Sequence, residues 1–216
     1  MFRTKICGVK TGTDVSFAAQ AGADAIGLNF YPPSPRSLSI DEAQQVRIAA
    51  NGRFTLVGVF VNETVDRVVG ISEQVGLNCI QLHGDEPLSF VDEIRKQSSL
   101  PIIRAIRIAD EAGAPGNIPL WSEKVDGLLC DAAVPNAYGG TGKTVDFETA
   151  NKICRSVDKP VILAGGLTPS NVAEAIAAVK PHGVDTASGV ESAPGKKDAD
   201  LVVQFVKEAR TALEQL

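Results

Sequence analysis

The chain has 216 residues, 44% of them hydrophobic and 22% charged, with a formal net charge of -5 at pH 7. That length buries one substantial core but is short for two, so residues 1–216 read as a single domain. The acidic balance, with no run of Lys or Arg, excludes a surface built for nucleic acid or anionic lipid, and no stretch of roughly 18 apolar residues offers a membrane span. A small soluble substrate is expected. The N-terminus enters a strand pattern at once, and Cys7, Cys79, Cys130 and Cys154 show no C-x-x-C spacing, so reduced thiols and a cytoplasmic location are expected.

Short β-rich apolar runs alternate with stretches of helical period along the whole chain. The first strand is expected at residues 3–7 and its helix at 13–22, with Thr13 before Asp14 as the start signal. Strand 24–29 and helix 40–50 follow, the helix opened by Ser39 before Asp41 and Glu42, then strand 54–60 and helix 63–75. Strand 78–82 precedes helix 87–97, and strand 101–106 precedes a region without regular helix, because two prolines and two glycines fall within residues 113–119. Strand 126–131 leads to helix 146–156. Strand 160–164 leads to helix 169–180, where Thr168-Pro169-Ser170 supplies a cap and a first-turn proline. Strand 183–187 and helix 198–214 complete the pattern.

Eight βα units in one domain satisfy the right-handed crossover rule as a closed barrel or an open doubly wound sheet, and eight is the barrel's number. The fold class expected is α/β, a (β/α)8 TIM barrel with the fifth helix reduced or replaced by a loop. In such a barrel the active site lies at the carboxyl ends of the strands. The polar residues there are Cys7, Asn29, His83, Asp131 and Asp185.

Cys7 ends the first strand beside Gly8, and Lys5 shares its strand face, where an ammonium group lowers a thiol's pKa. A base or nucleophile is expected there, whereas Cys79, Cys130 and Cys154 are assigned to packing. Asp131 ends an apolar strand, where a carboxylate is costly without a purpose; it either caps the next loop or transfers protons. Paired with Cys7 across the barrel mouth, it suits an isomerase. Ala164-Gly165-Gly166-Leu167 and Ala187-Ser188-Gly189-Val190 sit after strands seven and eight, the barrel's habitual phosphate position. Arg36 lies in a loop with three prolines between Tyr31 and Arg36, which holds a guanidinium suited to a carboxylate. His83 ends strand four, and the two histidines have no metal-ligand spacing, so no metal is expected. Ala137 to Thr144 imitates a phosphate loop but does not directly follow its strand, and is read as a lid over the barrel mouth.

Together, Lys5-Ile6-Cys7-Gly8, Gly58-Val59-Phe60-Val61-Asn62, Gln81-Leu82-His83-Gly84, Gly139-Gly140-Thr141-Gly142, Leu163-Ala164-Gly165-Gly166-Leu167 and Ser188-Gly189-Val190-Glu191 resemble the phosphoribosylanthranilate isomerase family of tryptophan biosynthesis. The resemblance spans nearly the whole chain. It implies an Amadori rearrangement of N-(5-phosphoribosyl)anthranilate to 1-(2-carboxyphenylamino)-1-deoxyribulose 5-phosphate, an aldose-ketose isomerisation without cofactor or metal. Carried over, Cys7 matches the family's general base and Asp131 its general acid. Arg36 matches the contact to the anthranilate carboxylate, His83 and Asp185 fall where they would touch ribose or anthranilate, and Gly165, Gly166, Ser188 and Gly189 match the phosphate site. The family pattern carries a second serine where this chain has Ala187. The partner expected is a phosphosugar, bound by a monomer or homodimer.

Rival readings are weighed on the same residues. A histidine-pathway isomerase of similar chemistry uses an aspartate where this chain has Cys7, and indole-glycerol-phosphate synthase has catalytic Lys and Glu and an N-terminal extension. A nucleotide switch built on Lys143 predicts Mg-dependent ATP or GTP binding, and a catalytically silent phosphosugar-binding barrel is disfavoured by the retention of Cys7 and Asp131.

Overall fold

The computed structural model describes residues 1–108, 116–132 and 146–216. In chain order these form β1 (Thr4–Cys7), α1 (Gly12–Ala21), β2 (Ala25–Asn29), α2 (Ile40–Ala50), β3 (Thr55–Phe60), α3 (Val65–Val75), β4 (Cys79–Leu82) and α4 (Leu88–Arg95). They continue with β5 (Ile102–Ile108), α5 (Ile118–Lys124), β6 (Gly127–Ala132), α6 (Phe147–Ser156), β7 (Val161–Leu163), α7 (Val172–Val179) and β8 (Gly183–Thr186). A 3₁₀ turn at Ser188–Val190, a small hairpin of β9 (Glu191–Ala193) and β10 (Lys196–Lys197), and α8 (Ala199–Leu213) end the chain.

Strands β1 to β8 pair in parallel in chain order and β8 returns to β1, closing the barrel. The closing register sets Thr4 opposite Val184, Lys5 opposite Asp185 and Ile6 opposite Thr186. Each strand is buried on both faces, which is why the strands read as apolar runs rather than as alternating patterns. Outward residues such as Ile26, Leu28, Ile80, Ile102 and Leu128 pack with helix residues including Val46, Val75, Ile94 and Phe205 in the larger core. Inward ones, Ala25, Val57, Cys79, Ile103, Leu129 and Ile162, join Phe2 to fill the barrel. This inner layer leaves the polar inward residues at the other, carboxyl end.

Two helix starts depart from the sequence expectation. Thr11, not Thr13, caps α1, because Asp14 sits three residues on and closes a reciprocal box: Asp14 N donates to Thr11 Oγ1 at 3.1 Å and Thr11 N to Asp14 Oδ2 at 2.9 Å. Helix α7 begins at Val172 and not at Pro169, because Asn171 accepts from Thr168 N (2.8 Å) and donates to the Gly166 carbonyl (3.0 Å), holding the preceding residues in a loop. The fifth helix is short but present. Ile118–Lys124 is helical because Pro119 falls in its first turn, where a missing N–H costs nothing. Ser39 caps α2 as expected, in a box with Glu42. Among the described residues no helix is long and apolar enough to cross a membrane. The proposed lid, 137–144, lies outside the described residues.

Candidate active site

Cys7, Arg36, His83, Asp131, Gly165, Gly166, Asp185 and Ser188 line one cavity at the carboxyl end of the barrel. Two-residue periodicity places Lys5 and Cys7 on the inner face of β1, and the register of β1 with β8 puts Asp185 beside Lys5. Lys5 is fully buried and its Nζ donates to Asp185 Oδ2 at 2.8 Å. Burial depresses the Lys5 pKa, but the Asp185 carboxylate and the Cys7 sulfur outweigh it, and the ammonium form is favoured. Cys7 departs from expectation. Burial pushes its thiol pKa up, and the pull of Lys5 and Lys197 does not reverse this, since Lys5 is already neutralised by Asp185. The neutral thiol is thereby favoured at Cys7. Asp185 Oδ1 is buried without a hydrogen-bond partner among the described residues.

Across the cavity, Asp131 Oδ1 accepts from its neighbour's backbone, Ala132 N, at 2.9 Å, and Oδ2 lies 3.0 Å from His83 Nε2. The other ring nitrogen, Nδ1, lies 2.8 Å from Gln81 Nε2. An amide nitrogen only donates, so Nδ1 accepts, and Nε2 carries the ring proton that it donates to Asp131. The line Gln81, His83, Asp131 thus joins β4 to β6 with all three side chains buried. Gln81 was not singled out from the sequence. Its signal was the two-residue spacing to His83 at the end of β4, masked because Gln81 also serves as an ordinary strand residue.

Arg36 reaches the cavity from the loop after β2. Asn29 organises that loop: its Oδ1 accepts from Tyr31 N (2.8 Å) and its Nδ2 donates to Ser34 Oγ (3.3 Å). The guanidinium is held bidentately by Glu191, Nε to Oε1 at 2.8 Å and Nη2 to Oε2 at 2.7 Å. Lys197 donates to the same Glu191 Oε1 at 2.8 Å and to the Ala187 carbonyl at 2.8 Å. Burial raises the Glu191 pKa, but the Arg36 and Lys197 bonds outweigh it and hold the carboxylate ionised. Burial pulls Lys197 below the ordinary lysine range. Glu191 and Lys197 come from the hairpin after β8, and neither was given a role from the sequence.

The glycine loops line the same cavity. Gly165 has φ +83, and a side chain there would sit 2.7 Å from Ala132 N and 3.1 Å from Asp131 Oδ1. Glycine here keeps the β7 loop against the carboxylate. Ser188 lines the cavity, whereas Gly189 stands behind it, where a Cβ would lie 1.9 Å from the Leu167 carbonyl oxygen. Thr186 Oγ1 donates to that same carbonyl at 2.7 Å, so the loops after β7 and β8 are tied directly together. Ala187 also lines the cavity. Among the described residues no group of His, Cys, Asp and Glu is arranged to hold a metal ion.

The family model for N-(5'-phosphoribosyl)anthranilate isomerase matches residues 4–208. N-(5'-phosphoribosyl)anthranilate isomerase of Trichlorobacter lovleyi is 40% identical over 99% of this chain and 100% of its own. The isomerase of Myxococcus xanthus is 43% identical over 97% of this chain and 96% of its own. Among solved structures, phosphoribosylanthranilate isomerase from Thermotoga maritima superposes with a TM-score of 0.85 at 36% identity, covering 98% of this chain and 100% of that one. A phosphoribosylanthranilate isomerase structure in complex with reduced 1-(o-carboxyphenylamino)-1-deoxyribulose 5-phosphate has a TM-score of 0.82 at 32% identity, over 98% of this chain and 100% of that one.

Proposed function

The chain belongs to the N-(5'-phosphoribosyl)anthranilate isomerase family, and from that premise we propose that it isomerises N-(5-phosphoribosyl)anthranilate by general acid catalysis at Asp131 and general base catalysis at Cys7. The observation that carries this reading is the placement of Cys7 and Asp131 on the wall of one cavity that also holds Gly165, Gly166, Ser188 and Arg36. A substrate that carries a phosphate and a carboxylate finds groups suited to both in the same cavity as the acid and base. The related structure that holds the reduced product analogue binds a molecule of that outline.

Asp131 donates a proton to the furanose ring oxygen, the C1–O bond breaks, and the anthranilate nitrogen supplies the electron pair that makes the Schiff base. Cys7 then takes the proton from C2, and the C2–H pair flows into the Schiff base to give the enolamine. Tautomerisation of the enolamine gives the ketose. The nitrogen of the substrate is thereby the electron sink, so the scheme assigns no step to a cofactor. Burial favours the neutral thiol, which must ionise to act as base, and the cationic Schiff base beside it favours the thiolate. The phosphate is assigned to the backbone amides of Gly165, Gly166, Ser188 and Gly189, and the carboxylate to Arg36, with His83 and Asp185 against the sugar.

The test follows the loss of anthranilate-linked fluorescence when the protein meets fresh phosphoribosylanthranilate. Cys7→Ser and Asp131→Asn should each lose roughly 2 to 4 orders of rate with the fold intact. Wild type no faster than spontaneous decay overturns the isomerase reading, and an active Asp131→Asn overturns the acid.

A further inference from the structure

Three buried side-chain polar atoms lack a hydrogen-bond partner among the described residues: Gln81 Oε1, Arg104 Nε and Asp185 Oδ1. Arg104 Nε belongs to a guanidinium stacked 4.5 Å over the Trp121 ring, outside the barrel, and Asp185 is already committed to Lys5. Gln81 Oε1 is different. It belongs to an amide that is 1% exposed, lines the cavity, and donates from its other end to His83. Leaving a buried carbonyl oxygen unpaired is unfavourable, and an apolar residue in its place would carry no such cost.

We propose that Gln81 is a positioning residue that sets the tautomer of His83, and through it the protonation state of Asp131. With the amide N–H donating to Nδ1, the ring proton stays on Nε2 and is donated to an ionised Asp131. Asp131 protonated for its role as acid needs the reverse pattern: its O–H donates to Nε2, Nδ1 carries the ring proton, and the amide turns over so that Oε1 accepts it. The change is a net gain of one proton. Nε2 passes its proton to Asp131 Oδ2 while Nδ1 takes one from a solvent hydronium, which leaves as water, so the ring stays neutral and each neighbouring pair along the line keeps its hydrogen bond. A primary amide presents a donor and an acceptor of the same shape from one position. That is the property neither Leu nor Glu can supply, and in the second state Oε1 takes over the Nδ1 bond that the amide Nε2 holds in the first.

The charged and titratable groups around the ring include Asp131 on β6, which bonds it, Arg107 on β5, in register with Asp131, and Cys7 on β1 and Asp185 on β8, which line the same cavity, with Lys5 behind Asp185. The first state rests on hydrogen bonds alone, whereas the second rests on the reading of Asp131 as the acid. The experiment separates them. The chain has two histidines, so ¹⁵N imidazole spectra of the unliganded protein assign His83 by comparison with a His182→Gln variant. Wild type at neutral pH should show His83 neutral with the proton on Nε2. Gln81→Glu, nearly isosteric and an acceptor, should move the proton to Nδ1 or make the ring cationic, and Gln81→Leu should leave a mixture. Turnover of phosphoribosylanthranilate by both variants should fall at least about tenfold in kcat with KM little changed, as for a lost proton-transfer alignment. A wild-type ring protonated on Nδ1, or a Gln81→Glu tautomer identical to wild type, overturns the proposal, and the wild-type spectrum decides even if a variant does not fold. A changed tautomer with unchanged kcat overturns the switch, while the tautomer assignment stands and Asp131 as acid is decided separately by Asp131→Asn.

Discussion

Replacing Lys5 by Met keeps the length of the side chain and removes its charge from a fully buried position. In the native barrel its ammonium lies 2.8 Å from Asp185 Oδ2, an attraction of about 6 kcal/mol at an effective dielectric near 20. Desolvating both ions costs several kcal/mol each, so the pair as a whole stabilises little. Breaking it is another matter. Lys5→Met leaves the Asp185 carboxylate buried with Oδ1 and Oδ2 both unpaired, and such a change costs about 3–5 kcal/mol. For a chain of this size that corresponds to a fall in Tm of roughly 6 to 20 °C. The assay is urea unfolding at pH 7 of Lys5→Met, Asp185→Leu and the double variant. The double variant should recover most of what Lys5→Met loses, within about 1–2 kcal/mol of wild type. A Lys5→Met cost below about 1 kcal/mol, or a double variant whose loss equals the sum of the singles, would refute the reasoning, because either result means that the two charges are not coupled in a dry interior.

Other consequences follow from the same geometry. Gly189→Ala should shift the loops after β7 and β8 apart, since the new methyl meets the Leu167 carbonyl at 1.9 Å; calorimetry should show weaker binding of a phosphosugar analogue, and unchanged affinity would remove Gly189 from any role in the phosphate wall. Glu191→Gln loses the ionic part of the Arg36 clamp, so KM should rise roughly tenfold with kcat largely kept, whereas an equal fall in kcat would point to a catalytic role instead. Cys79 is buried and its pKa is pushed up to about 12 from an ordinary 9.0. Because the folded value is the higher one, its contribution is complete below pH 9 and is lost as pH rises from 9 towards 12, at about 1.4 kcal/mol per pH unit. Cys79→Ala should flatten wild type's alkaline stability loss by that slope, and parallel pH curves for the two proteins would count against it.

The sequence by itself determined the eightfold alternation, every barrel strand to within a residue or two, and the polar residues that end them. Those features are local: a buried parallel strand must be apolar on both faces, a helix must present one stripe, and a polar residue interrupting the strand's end is visible in a single run of letters. The short fifth helix was half legible, because proline signals the break in helical period but also fits the first turn of the helix that starts there. What only the tertiary structure decided are the pairings that depend on closure. Lys5 and Asp185 are 180 residues apart and meet because β8 returns to β1 in that register. Read along the chain, Lys5 looked like a free cation that would activate Cys7; in the closed barrel Asp185 neutralises it and burial favours the neutral thiol. Arg36 and Glu191, 155 residues apart, meet because the loop after β2 and the hairpin after β8 share one rim. Gln81 acquires meaning only when β4 and β6 bring His83 to Asp131 across the cavity. Periodicity fixes which face a side chain occupies, while its charge state depends on neighbours that the chain reaches only by folding.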